Sequence, residues 1–201
     1  MSKKIKIKFT LLFITLLFVT LLFSSSAFSF DGKPSVRFRH LTIEDGLPQN
    51  SAQAILQDSI GFLWFGTNSG LVRYDGYSLK VFKHEFDNEN SISGNSIHTI
   101  IEDSQDNIWI GTIDGGLNHF NTKTEQFTHY RHKPNNPNSL SEDTVGSVIE
   151  DSQGNLWIGT FGGGLNHFNI KTGKFTHYRH QVNDSNSLSH DDVRSIVEDN
   201  E

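Results

Sequence analysis

The sequence DSQDNIWIGTIDGGL, from Asp103 to Leu117, decides the reading of this 201-residue chain because it recurs as DSQGNLWIGTFGGGL from Asp151 and as DSIGFLWFGTNSGL from Asp58. A fourth copy opens at Asp199. The tryptophans Trp64, Trp109 and Trp157 are 45 and 48 residues apart, a period that marks stacked supersecondary units. Between Ile100–His132 and Val148–His180, 25 of 33 positions are identical, so most shared residues report the architecture of the unit and not a unique active site.

Working outward, each repeat reads as four short strands. The first is apolar and β-rich (SIHTIIED from Ser96, VGSVIED from Val145) and ends in an Asp-Ser-Gln-Asp/Gly-Asn turn, whose residues supply side-chain-to-backbone bonds and positive φ. The second is IWIGT or LWIGT, with Gly66, Gly111 and Gly159 allowing close backbone approach or a bulge. A Gly-rich corner leads to the third strand (LVRYD or LNHFN), a turn leads to the fourth (FTHYRH), and a polar loop returns to the next repeat. Four strands in 45 to 48 residues point to an all-β fold, a β-propeller with four-stranded antiparallel blades. The adjacent apolar pairs Ile100-Ile101 and Val148-Ile149 suit sheets covered on both faces. The tryptophans, with Asp58, Asp103 and Asp151 at the turns, are the expected anchors between blades.

The repeat phase predicts an outer strand at 38–42, blades at 52–86, 97–133 and 145–181, and the start of a fourth at 193–201, hence an incomplete ring and the N-terminal part of a larger domain. Residues 1–29 read as a signal peptide: four lysines, the apolar run Phe9–Phe23, then SSSAFS with small residues before a cleavage point after Ser29. The alternative, an uncleaved anchor, is disfavoured because 15 helical residues rise only about 22 Å against a hydrocarbon core of roughly 30 Å. Residues 30–37 form a linker. Without the leader the formal charge is −10, which argues against nucleic acid or an anionic membrane surface as partner. The absence of cysteine excludes disulfides and thiolate metal sites.

The opening FRHLTIEDGLPQNSAQAILQDSIGFLWFGTNSGLVRYDG, with IIEDSQDNIWIGTIDGGLNHFN and VIEDSQGNLWIGTFGGGLNHFN, resembles the two-component regulator propeller repeats of bacterial periplasmic sensors. The resemblance covers nearly all of 38–201. It implies two seven-bladed propellers in tandem, a β-sandwich, a membrane helix and a cytoplasmic output module, usually a histidine kinase and sometimes a diguanylate cyclase; none of the output lies in this chain. It also implies periplasmic location with inner-membrane tethering, a small ligand such as an oligosaccharide, and a homodimer of the intact receptor. One departure is the shortened Gly corner of the first repeat, four steps from Thr67 to Leu71 against five from Thr112 to Leu117.

The remaining motifs weigh toward structure. A calcium loop needs alternating carboxylates and a distal Glu, which the DSQDN and DSQGN turns lack. The HYRH pairs, His129 with His132 and His177 with His180, recur as blade consensus, and residues three apart on a strand point to opposite faces. No Ser, His and Asp set stands out as a catalytic constellation, so no enzyme activity, metal or cofactor is expected of this segment. Quinone-dependent dehydrogenases are worded differently, and a lyase-like propeller is the nearer enzyme alternative.

Ligand recognition is sought where the copies differ. One column, at the start of the first strand, reads Gln53, His98, Gly146 and Arg194; another, after the second strand, reads Asn68, Asp114 and Gly162, with Ile113 and Phe161 beside it. In an up-and-down blade both lie at one end, so Gln53, Asn68, His98, Asp114, Phe161 and Arg194 are the candidate contacts for a neutral or cationic polar ligand, with Phe161 as a platform. The function expected is ligand sensing for a membrane-spanning signalling receptor. The rival is a secreted propeller that scaffolds carbohydrate or protein.

Overall fold

The computed structural model describes residues 37, 38 and 40–199 of the chain. The expected signal peptide at 1–29, and most of the linker, lie outside the described residues. Among those residues no helix is long and apolar enough to cross a membrane.

From His40 onward the chain forms one compact unit of twelve strands. They are β1 (Ala54–Gln57), β2 (Leu63–Thr67), β3 (Gly70–Tyr74) and β4 (Leu79–Phe82); β5 (Ile97–Glu102), β6 (Ile108–Thr112), β7 (Leu117–Asn121) and β8 (Gln126–Tyr130); β9 (Val145–Glu150), β10 (Leu156–Thr160), β11 (Gly164–Asn169) and β12 (Lys174–Tyr178). Each set of four is one antiparallel sheet in sequential order, so the fold is an all-β propeller of four-stranded blades, three here, without a closed ring. The first strands β1, β5 and β9 stand side by side, and the later strands of each blade run outward.

Two segments differ from the expected strands. Residues 38 and 40–42 pair with no strand, and the chain turns instead through a 3-10 helix at Ile43–Asp45 capped by Thr42. Residues 193–199 also form no strand: Asp192 bridges Phe161 and the Val193 N–H reaches Thr160 O, and the pairing goes no further. A strand exists only against a neighbour, and among the described residues neither segment meets a partner that completes a ladder.

Two apolar clusters hold the blades together, and each is shared between sheets. Trp64 of β2, fully buried, packs on Ile100, Ile108, Ile110 and Phe120 of the second blade. Trp109 of β6, 1% exposed, packs on Val148, Leu156, Ile158 and Phe168 of the third. The tryptophan of one blade is therefore core for the next, while Trp157, in the last of the described sheets, is only partly covered. Burial of rings this size dominates such an interface.

The second-strand glycines make this approach possible. A Cβ on Gly66 would lie 2.6 Å from Ile97 Cγ2, and one on Gly111 would lie 2.6 Å from Val145 Cγ1. Each is the first apolar residue of the following blade, seated directly on the glycine backbone.

Candidate functional site

The antiparallel pairing of β5 with β6 and of β9 with β10 places the starts of the inner strands beside the ends of the second strands. The six candidate residues thus lie at one end of the inner strands, as the blade topology requires. Gln53 and Arg194 lie just outside regular strands, and both are exposed, as are Asn68 and Asp114.

In β5, Ile97 faces Thr112 and Thr99 faces Gly111, leaving His98 as the extra residue of a bulge. In β9, Val145 faces Thr160 and Ser147 faces Gly159, so Gly146 occupies the same bulge. Bulges bend the strand and re-aim a side chain, and the His98 ring is found beside Phe161 of the third blade.

Three of the six residues meet. The Phe161 ring lies over Gly146, where a Cβ would stand 2.7 Å from Phe161 Cε1. This vacancy lets Phe161 of the third blade reach His98 of the second, with ring centroids 5.7 Å apart at 74°. Arg194 places its guanidinium carbon 5.8 Å from the same ring. Phe161 is therefore flanked by an imidazole and a cation, not the free platform that the sequence suggested.

The other three are held apart from this cluster. Asn68 accepts from Ser96 Oγ at 3.2 Å, and its backbone N–H donates to Gln49 Oε1 at 3.1 Å. Asp114 fits because Gly94 has no side chain to meet its carboxylate, and its carbonyl accepts from Arg131 at 3.2 Å. The Gln53 N–H extends the β1–β2 ladder to Gly66 O.

The repeated polar residues are consumed by the fold. Asp103 Oδ1 accepts from the N–H groups of Gln105 and Asn107, both at 2.9 Å, and Oδ2 accepts from Trp109 Nε1 at 2.8 Å. Asp58 and Trp64, and Asp151 and Trp157, repeat the arrangement at 2.8 and 3.0 Å. Burial works against the Asp151 carboxylate, but the donors of Asn155, Gln153 and Trp157 outweigh it and hold its pKa below the usual value. A carboxylate so occupied has little left for a metal ion. Among the described residues no group of three or more His, Cys, Asp or Glu is placed to hold one.

The HYRH histidines serve two different loops. His129 Nε2 lies 2.8 Å from Ser91 O and His132 Nδ1 lies 2.9 Å from Leu140 O, a pattern repeated by His177 with Ser139 and His180 with Leu188. Sequence reasoning missed one further device, in which each blade's turn serine is gripped by the next blade. The Ser59 N–H and Oγ both donate to Glu102 at 2.8 Å, and those of Ser104 donate to Glu150 at 2.7 and 2.8 Å. The motif Glu-Asp-Ser carried the signal, since its Glu accepts from the blade before and its Ser donates to the blade after.

Comparison with known proteins bears directly on this repeat. The two component regulator propeller family model matches residues 46–69, 91–114 and 139–162, each match running from the loop that leads into a blade through its second strand. The chain carries two component regulator propeller repeats. Among solved structures, this propeller is similar to the extracellular domain assigned to a hybrid two component system of B. thetaiotaomicron, with 35% identity and a TM-score of 0.71 over 78% of this chain. It is also similar to the extracellular domain of a second such system of that organism, at 26% identity and a TM-score of 0.67 over 83% of this chain. Among curated proteins it is 43% identical over 56 residues to histidine kinase P4 of Formosa agariphila. Virginiamycin B lyase of Staphylococcus aureus, at 14% identity and a TM-score of 0.52, shares the fold alone. The propeller spans 22 to 24% of the two extracellular domains and 4% of the kinase.

Proposed function

We propose that this propeller is part of the extracytoplasmic ligand-sensing region of a membrane-bound bacterial signalling receptor, whose output is a histidine kinase or a diguanylate cyclase. The observation that carries the reading is the 35% identity, over 78% of this chain, to an extracellular domain of a hybrid two component system. An export signal at 1–29 and a small polar ligand, an oligosaccharide foremost, accord with it. The ligand contacts are assigned to the end of the inner strands that carries Gln53, Asn68, His98, Asp114, Phe161 and Arg194, where the copies of the repeat diverge. The segment itself is read as binding and not reacting, in line with its likeness to extracellular domains of two component systems. Binding shifts a signalling equilibrium only by as much as it favours one state, so the ligand must contact groups that move between states. The His98–Phe161–Arg194 cluster joins the second blade, the third blade and the segment after it, and fits that requirement.

The test is to substitute Asp114 and Arg194 together in the intact receptor and read a transcriptional reporter against an oligosaccharide panel. The reading expects the response to be lost or its half-maximal concentration raised, with unchanged receptor levels. A response unchanged in size and threshold counts against this face.

A further inference from the structure

We propose that the Trp157 face of the third sheet is a docking surface for another four-stranded blade bearing Asn on its third strand and His on its fourth, and that it discriminates against a blade of the first repeat's kind. This inference is independent of which ligand the receptor senses.

The two internal interfaces provide the template. The loop leading into the second blade rests on that blade through three polar contacts. Asn90 Oδ1 accepts from the Phe127 N–H at 2.9 Å, Ser91 O meets His129 Nε2 at 2.8 Å, and the Ser93 N–H donates to Asn118 Oδ1 at 2.9 Å. The loop into the third blade repeats them as Asn138 to Phe175, Ser139 to His177 and Ser141 to Asn166, at 2.9, 2.8 and 2.9 Å. Ile92 and Leu140, at the centres of these loops, are fully buried.

The loop after the third blade already has the same shape. The Gln181 N–H donates to Ser187 Oγ as those of Glu85 and Lys133 do to Ser91 and Ser139, and His180 holds Leu188 O as His84 holds Ile92 O. It therefore presents Asn186 Oδ1, Ser187 O and the Ser189 N–H, none of them partnered among the described residues. Beside them lie the half-covered Leu188 and the stacked rings of Trp157 and Tyr178, with centroids 5.7 Å apart. A surface already ordered in its bound form loses less entropy on docking.

The first blade does not fit this template. At the positions of Asn118 and Asn166 it carries Val72, and at those of His129 and His177 it carries Val81. Its own leading loop matches that change, because Pro48 stands where Ser93 and Ser141 donate an N–H, and proline has none to donate. Ser–Asn and Pro–Val are thus two versions of one loop-to-strand contact. A first-type blade on the Trp157 face would leave the Ser189 N–H and Ser187 O facing valines, a costly loss for buried polar groups. A second copy of the chain docking through its first sheet is disfavoured further, because Gly46 of its own loop already lies against Leu79.

Because Asp199 follows Asp151 by one period, a copy of residues 154–180, with Trp157→Phe made in the appended repeat only, extends the full chain in register when joined after Glu201. Trp64 and Trp109 are buried, so emission quenched by acrylamide reports Trp157. The proposal predicts that this extension abolishes the quenchable fraction. A copy of residues 61–86 with Trp64→Phe made in the appended repeat only, or the same tryptophan-free 154–180 copy with Asn166→Val and His177→Val added there, leaves it largely in place. Equal protection by all three extensions, protection by none, or protection in the unextended chain that rises with its concentration would each overturn the proposal. A second measurement needs no extension: Ser93→Pro and Asn118→Val each lower the thermal midpoint, and the double variant loses less than the two shifts combined. Strict additivity would show that the two positions do not work as a pair.

Discussion

Trp109 donates its indole N–H to Asp103 Oδ2 at 2.8 Å, across a six-residue spacing that joins the turn of one blade to the ring that fills the core of the next. The same carboxylate ties down the turn through two backbone N–H groups, so one side chain fixes both the hairpin and the orientation of the anchor. Removing it leaves a buried indole N–H and the turn amides without a partner. Asp103→Ala is expected to cost about 3 kcal/mol, as for other charged acceptors serving buried donors. Asp151→Ala should cost less, because Trp157 is only partly covered. Denaturant unfolding of the two variants gives the order.

Gly111→Ala puts a methyl group 2.6 Å from Val145 Cγ1 and from Thr99 Cγ2, in a seam where both neighbours are fixed by their strands. The expected destabilisation is about 1 to 3 kcal/mol, the usual range for overpacking a close contact. A thermal midpoint equal to that of the parent chain would show that the blades separate more easily than their packing indicates.

The Ser104–Glu150 contact is exposed but bidentate. Glu150→Ala is expected to cost about 1 kcal/mol, in line with ordinary hydrogen bonds, and to speed amide exchange at Ser104 with little change inside β6. Exchange rising evenly across the second and third blades would mean that the contact props up the whole interface and not the turn alone.

Much of this architecture can be read from the spacing of residues, and some of it cannot. The period, the four strands and the tryptophan anchors follow from residues such as Trp109 and Gly111 that every copy retains. The Asp–Trp spacing was visible too, yet it reads as an ordinary turn until the fold brings the ring back over the carboxylate. The bulge at His98 and Gly146 is a register shift between strands, and no local pattern marks it. Without it the meeting of His98, Phe161 and Arg194 could not be foreseen, since they come from two blades and the segment that follows. The Ser–Glu and Ser–Asn contacts span 25 to 46 residues, so they become legible only once neighbouring blades are known to touch.

Stability should fall on acidification in two windows. Burial lowers the His119 pKa, with Asp103 partly opposing, so the folded chain binds fewer protons there than the unfolded chain. The contribution of a neutral His119 is complete above the ordinary pKa of about 6.5 and is lost as pH falls toward the folded value. His119→Gln should flatten the dependence between about pH 5 and 7. Asp151 also has a lowered pKa, so its contribution is present above about pH 4 and lost as pH falls through the folded value. Denaturant midpoints measured across the range check both signs.

The claim that this propeller serves a signalling receptor meets its most direct test in the reading frame that surrounds it. Sequencing through and beyond the codon for Glu201 is expected to show further Trp-x-Gly-Thr repeats, then a membrane-spanning helix and a kinase or cyclase. A frame that closes a single ring and stops, with no membrane helix, would contradict the sensor reading and make this a secreted binding scaffold.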